Sequence, residues 1–125
     1  MLKLKNEKVI SVMNALQNLM KLQLRGNLKF KFANIYLTFM DGANAVQEEL
    51  GSLEREAQGK SEEEVALLYE KSKELLEEEN EYDLDDGDLL LKEELTDLEI
   101  SAFDIVGLSD IIRIDKEQEN ENNKE

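Results

Sequence analysis

The chain has 125 residues, with 15 Lys and Arg against 30 Asp and Glu, a net charge of −15, and no Cys, His, Pro or Trp. Without Cys or His it offers no thiolate nucleophile, no Ser-His pair, no zinc site of the usual kind and no disulfide framework. Such a charge repels nucleic acid. No apolar run is long enough to span a membrane, and no apolar signal region follows Met1, so secretion by a signal peptide is not expected. The charge is uneven: residues 1–40 carry seven bases and one acid, a net +6, and residues 41–125 carry eight bases and 29 acids, a net −21.

In chain order, a first helix is expected over about 6–24. Val9, Val12, Met13, Leu16, Leu19 and Met20, with Gln23 at the end, repeat at three and four residues, and Asn6 is placed to cap the N-terminus. Arg25-Gly26-Asn27 ends it, Gly being favoured just past a helix and Asn at the start of the next. A second helix follows over 28–57. Leu28, Phe32, Ile35, Phe39, Ala43, Val46, Leu50, Leu53 and Ala57 approach a heptad stripe, widened in its first half by Phe30, Tyr36 and Met40. The N-terminal end of this stripe reads as deep core and its C-terminal end as a narrower seam. Gly42 and Gly51 each weaken the helix by about 1 kcal/mol relative to Ala. The alternation Leu28-Lys29-Phe30-Lys31-Phe32 also suits a strand, but its continuity with the downstream stripe favours a helix.

Gly59-Lys60 breaks the pattern, and Ser61 to Glu64 has the form of a capping box opening a third helix over 61–79. Val65, Leu68, Tyr69, Ser72, Leu75 and Leu76 are its expected inner face, and helices two and three should form an antiparallel hairpin. One unbroken helix over 28–79 is the competing possibility. Beyond it, Leu89-Leu90-Leu91 and the alternating 98–102 suggest a small hairpin of strands. Phe103, Ile105, Val106, Leu108, Ile111, Ile112 and Ile114 form a second apolar cluster, with Ser109 or Asp110 capping a short closing helix. The expected fold is mainly α: one domain over 1–115, with an N-terminal helix, a long helical hairpin and a small α/β element over 88–114. Residues 116–125, all polar, are expected as a disordered acidic tail.

Candidate chemistry is sparse. Asp83, Asp85, Asp86 and Asp88 around Gly87 invite a calcium loop, but with Gly87 at loop position six the first and third ligand positions fall on Tyr82 and Leu84. Acids such as Glu62-Glu63-Glu64 and Glu77-Glu78-Glu79 read as solvated helix faces, and the six glycines are scattered singly. No catalytic residue, metal ligand or cofactor is therefore assigned, and the chain is not expected to be an enzyme. The basic arm (Lys3, Lys5, Lys8, Lys21, Arg25, Lys29, Lys31) could serve an anionic surface, although attraction to the acidic half favours internal neutralisation. The candidate partner-binding residues are Lys21, Arg25, Lys29 and Lys31 on this arm and Val46, Leu50 and Leu53 on the stripe.

Lys3-Leu4-Lys5-Asn6 opening a first helix, Lys21-Leu22-Gln23-Leu24 and Lys29-Phe30-Lys31-Phe32-Ala33-Asn34 leading into a long Glu-rich helix, and Leu98-Glu99-Ile100 with Gly107-Leu108-Ser109-Asp110-Ile111-Ile112 form a pattern. It resembles a group of small uncharacterised helical proteins encoded by tailed bacteriophages and prophages of Gram-positive bacteria. The resemblance covers 1–40 and 95–114; where that group often has Pro between its first two helices, this chain has Arg25-Gly26. It implies a phage-encoded helical protein and carries no catalytic residues.

Two functions follow as expectations. The first is a non-enzymatic protein–protein interaction module, accessory to head or tail assembly in the host bacterial cytoplasm or on the virion. Its partner would be a phage structural protein or a host protein, with homo-oligomerisation through the 28–57 stripe as another use of the same face. The second is an acidic anti-defence inhibitor that occupies a nucleic-acid-binding groove of a host protein, using the 24 acids of residues 61–125. Steep salt dependence would mark the inhibitor, because exposed charges are screened and apolar contacts are not.

Overall fold

The computed structural model describes residues 1–24 and 26–113. In chain order, strand β1 (Leu2–Lys5) leads into helix α1 (Asn6–Leu19), long helix α2 (Asn27–Ala57) and helix α3 (Glu62–Glu77). Strand β2 (Glu79–Tyr82), a 3₁₀ turn (Asp86–Asp88), short helices α4 (Lys92–Leu95) and α5 (Ala102–Leu108) and a second 3₁₀ turn (Ser109–Ile111) follow. The fold is mainly helical, with α2 and α3 forming the antiparallel hairpin. Arg25 and the expected tail at 116–125 lie outside the described residues.

The core assembles where α1 lies on the first half of α2. Val9, Val12, Met13, Leu16 and Leu19 of α1 meet Leu28, Phe32, Ile35, Phe39 and Ala43 of α2, all buried. The 3/4 spacing thus becomes two facing apolar stripes, and tertiary burial stabilises helices of this length. Helix α1 stops at Leu19, short of 24, because Met20 and Gln23 face solvent and add nothing to the buried stripe. Gly26, with φ 61°, turns the chain into α2 in a backbone region that side-chain-bearing residues avoid. Phe30, expected to widen the core face, is exposed, whereas Tyr36 and Met40 do pack against the core. The second break is real: Gly59, with φ 75°, makes the turn, and the Ser61 hydroxyl accepts the Glu64 N–H at 3.3 Å, so 28–79 is two helices.

The N-terminal arm is a strand, which the sequence reading did not anticipate. Leu2 to Lys5 pair antiparallel with Tyr82 to Glu79, with Leu4 buried and Lys3 and Lys5 exposed. Asn6 continues the stitch and does not cap α1. Its side chain is 2% exposed; its Nδ2 donates to the Leu75 carbonyl at 2.8 Å and its Oδ1 accepts from Asn80 Nδ2 at 2.9 Å. Its backbone N–H donates to the Glu78 carbonyl at 2.9 Å. Asn6 therefore caps the C-terminus of α3, ending that helix before 79, and satisfies carbonyls that a helix end leaves bare.

Beyond β2, Tyr82 packs edge-on against Phe39, ring centroids 4.6 Å apart, over Gly42. A Cβ at position 42 would stand 3.2 Å from the Tyr82 hydroxyl, which gives that glycine a packing role and not a hinge role. Among the described residues the C-terminal element forms no β-hairpin. Leu90 makes a single parallel bridge to Ile112, and the stretch at 98–101 alternates in burial, with Leu98 and Ile100 inward, but meets no partner strand among them. Ser101 instead caps α5 through the Asp104 N–H at 3.1 Å, upstream of the expected caps at 109 and 110. Only the Leu108 end of α5 enters the core. Gly107 there lies so close to α1 that a Cβ would sit 3.2 Å from both Ala15 Cβ and the Ser11 carbonyl. Phe103, Ile105 and Val106, expected inside, are exposed because Gly107 and Leu108 are the residues this short helix turns toward α1.

Candidate protein-docking surface

The candidate basic residues part company in the structure. Lys31 is half-buried, and its Nζ lies 2.8 Å from Glu94 Oε1 and 3.3 Å from the Leu89 carbonyl. The same Glu94 oxygen accepts the Leu91 N–H at 3.0 Å. Lys31 thus clamps the α4 turn onto α2, so this candidate cation already has a partner within the molecule. Lys21 and Lys29 are exposed, and Arg25 lies outside the described residues. Two further ion pairs join the basic arm to the acidic half: Lys3 with Glu81 at 3.9 Å and the N-terminal amine with Asp85 at 3.6 Å. Both are exposed and worth little. Lys5, Lys8, Lys21 and Lys29 make no ion pair among the described residues.

The acidic turn around Gly87 is organised by its own backbone. Asp88 Oδ2 accepts the Asp85 N–H at 3.0 Å, and among the described residues no three acids converge as a metal site. Among the described residues, Tyr82 is displaced from its ordinary range, its hydroxyl pushed up by burial. It is held between Phe39 and Gly42. No helix among the described residues is long and apolar enough to cross a membrane.

The stripe residues lead to a different surface. Val46 is the last buried residue of α2; Leu50, Leu53 and Ala57 beyond it are only half-buried. Facing them, α3 has no fully buried residue at all: Leu68, Ser72, Leu75 and Leu76 are half-covered. The inner face expected for α3 is therefore right for those four, but Val65 is 39% and Tyr69 69% exposed. The reason is that no third layer lies there among the described residues: α1 and the C-terminal turns cover α2 only up to about Val46, and the described distal hairpin is two helices thick. On the α3 side of it, Val65, Ala66 and Tyr69 floor a shallow hollow rimmed by Lys60, Glu62 and Glu70. Residues 41–79 carry thirteen acids and four bases, a net −9.

Tyr69, expected on the inner face, sits one position from Leu68 at the margin of the apolar arc and faces out, with no third layer over it among the described residues. Val65 shares that margin. No protein-family model, characterised protein or solved structure matches the chain.

Proposed function

We propose that the protein is a non-enzymatic protein–protein interaction module whose working surface is the distal half of the α2–α3 hairpin. The observation that carries this is the half-covered seam: Leu50, Leu53, Ala57 and Leu68 follow the spacing of a core, yet nothing in the chain's described residues completes their burial. Soluble proteins tend to leave apolar surface of this kind where a partner sits. Val46 supports the surface from beneath, while Leu50 and Leu53 border it. A setting in phage assembly within a bacterial host rests on the sequence resemblance alone.

The test is capture from bacterial lysate by the intact protein at about 0.1 M and about 0.5 M salt, repeated with Leu53→Lys. Retention at high salt and loss on substitution is the expected result. The acidic inhibitor is favoured by a different observation, the exposed Glu62-Glu63-Glu64 row. For it, capture should vanish at the higher salt and be indifferent to Leu53→Lys.

A further inference from the structure

Resting on the hairpin as the working surface, we infer that its occupant is a basic amphipathic helix that lies along the seam as a third layer and seats an apolar side chain in the Val65–Ala66–Tyr69 hollow. At the other end of α2 the same arrangement is already visible, where α1 lies against α2 and completes the burial of Phe32, Ile35 and Phe39. The distal hairpin has the two-helix floor but no such cover among the described residues, and helices bury a two-helix seam most fully by adding a third.

Charge selects among possible occupants. Glu48, Glu49, Glu54, Glu56, Glu70 and Glu74 are exposed along the two helices. A second copy of the hairpin would set a net −9 against a net −9, a like-charge contact that favours separation. A purely basic, unstructured segment would satisfy the carboxylates but leave the hollow and seam wet. A helix with Lys or Arg flanking an apolar stripe satisfies both, with bases over the carboxylates and the stripe over Leu53, Leu68 and Val65.

The experiment uses the full chain and a synthetic peptide of about 20 residues with Leu at heptad positions a and d and Lys at most others, followed by calorimetry or fluorescence anisotropy. A permuted peptide of identical composition without the 3/4 spacing controls for charge. Tyr69→Ser and Leu67→Ser are the protein variants: both side chains are about equally exposed, at 69% and 66%, but two residues' separation on a helix puts them on opposite sides. Circular dichroism confirms that each variant keeps its fold. The expected result is binding of the amphipathic peptide, about tenfold weaker with the permuted one and about tenfold weaker with Tyr69→Ser, with Leu67→Ser unchanged. Equal binding of the two peptides, indistinguishable Tyr69→Ser and Leu67→Ser variants, or no binding overturns the inference. If Leu53-dependent capture from lysate persists while this test fails, the hairpin remains the surface and its occupant is of another kind. If capture is also indifferent to Leu53, both readings fall.

Discussion

The two halves of α2 obey one sequence rule and reach different ends. From Leu28 to Val46 the apolar residues spaced by three and four are buried, under α1 and against Tyr82; from Leu50 to Ala57 the same spacing leaves them half-covered beside an α3 that buries nothing completely. Periodicity therefore determines which face of a helix is apolar, and the neighbouring elements determine whether that face is a core or a surface. The difference should be measurable as stability at one end and as binding at the other.

The largest effect is expected at the near half. Phe39→Ala removes a fully buried ring that Tyr82 packs against edge-on, and should cost about 3–5 kcal/mol, read as a large fall in thermal midpoint. Leu53→Ala at the far half should cost about 1 kcal/mol, since half of that side chain's burial is already missing. If the two losses were equal, the distinction between the halves would be wrong.

Asn6→Ala comes next, at about 2 kcal/mol, because it strips partners from the Leu75 carbonyl and from Asn80 in a site nearly closed to water. Denaturant melts would show it, and an unchanged midpoint would mean water replaces the side chain freely. Lys31→Met should cost about 1 kcal/mol, since Glu94 keeps its bond from Leu91 but loses its half-buried cation. By contrast, Lys21→Glu combined with Lys29→Glu should move stability by about 0.5 kcal/mol or less at low salt, as neither is paired among the described residues. A large loss there would restore internal neutralisation as the role of the whole basic arm.

Tyr82 adds a pH dependence whose direction is fixed by its burial. Its folded-state value lies above the ordinary 10.0, so the stability it contributes is complete below that value and is lost as pH rises through the folded-state value. Tyr82→Phe keeps the ring against Phe39 and removes the ionisation, so between about pH 9 and pH 11 the variant should lose less stability than the parent chain.

The helices were legible because each carries its own periodic face and punctuation: Gly26 before α2, Gly59 after it, Ser61 at the start of α3. The β1–β2 pair was not, since Leu2-Lys3-Leu4-Lys5 is only one short alternation and its partner Glu79-Asn80-Glu81-Tyr82 has no strand-like composition; the pairing exists only once α3 has returned the chain. Asn6 shows the same limit, being a good cap by type but used on a different helix. At 98–102 the alternation suggested a strand that does not form: Leu98 and Ile100 are half-buried, but no partner strand is adjacent among the described residues, and Ala102 already opens α5. On the candidate surface, Leu50 and Leu53 could be found from spacing. The withdrawal of Lys31 into a clamp with Glu94, 63 residues away, and the outward turn of Tyr69 depend on the assembled fold.

The stitch between the chain's start and its middle also bears on the order in which the molecule comes together. Helices α1 and α2 are joined by a short turn and can meet early, whereas Asn6 must find Asn80 across 74 residues and Leu2 must find Tyr82. Closing so long a loop carries an entropic cost that is recovered only after the α2–α3 hairpin has folded back, which makes the two-stranded pair a late event in folding and an early one in opening. Native-state hydrogen exchange would then report the amides of Leu4 and Asn80, which face each other across the ladder, exchanging together and well ahead of those near Phe39. In such an opening, the base of the hairpin is released from α1 while the α1–α2 core stays shut.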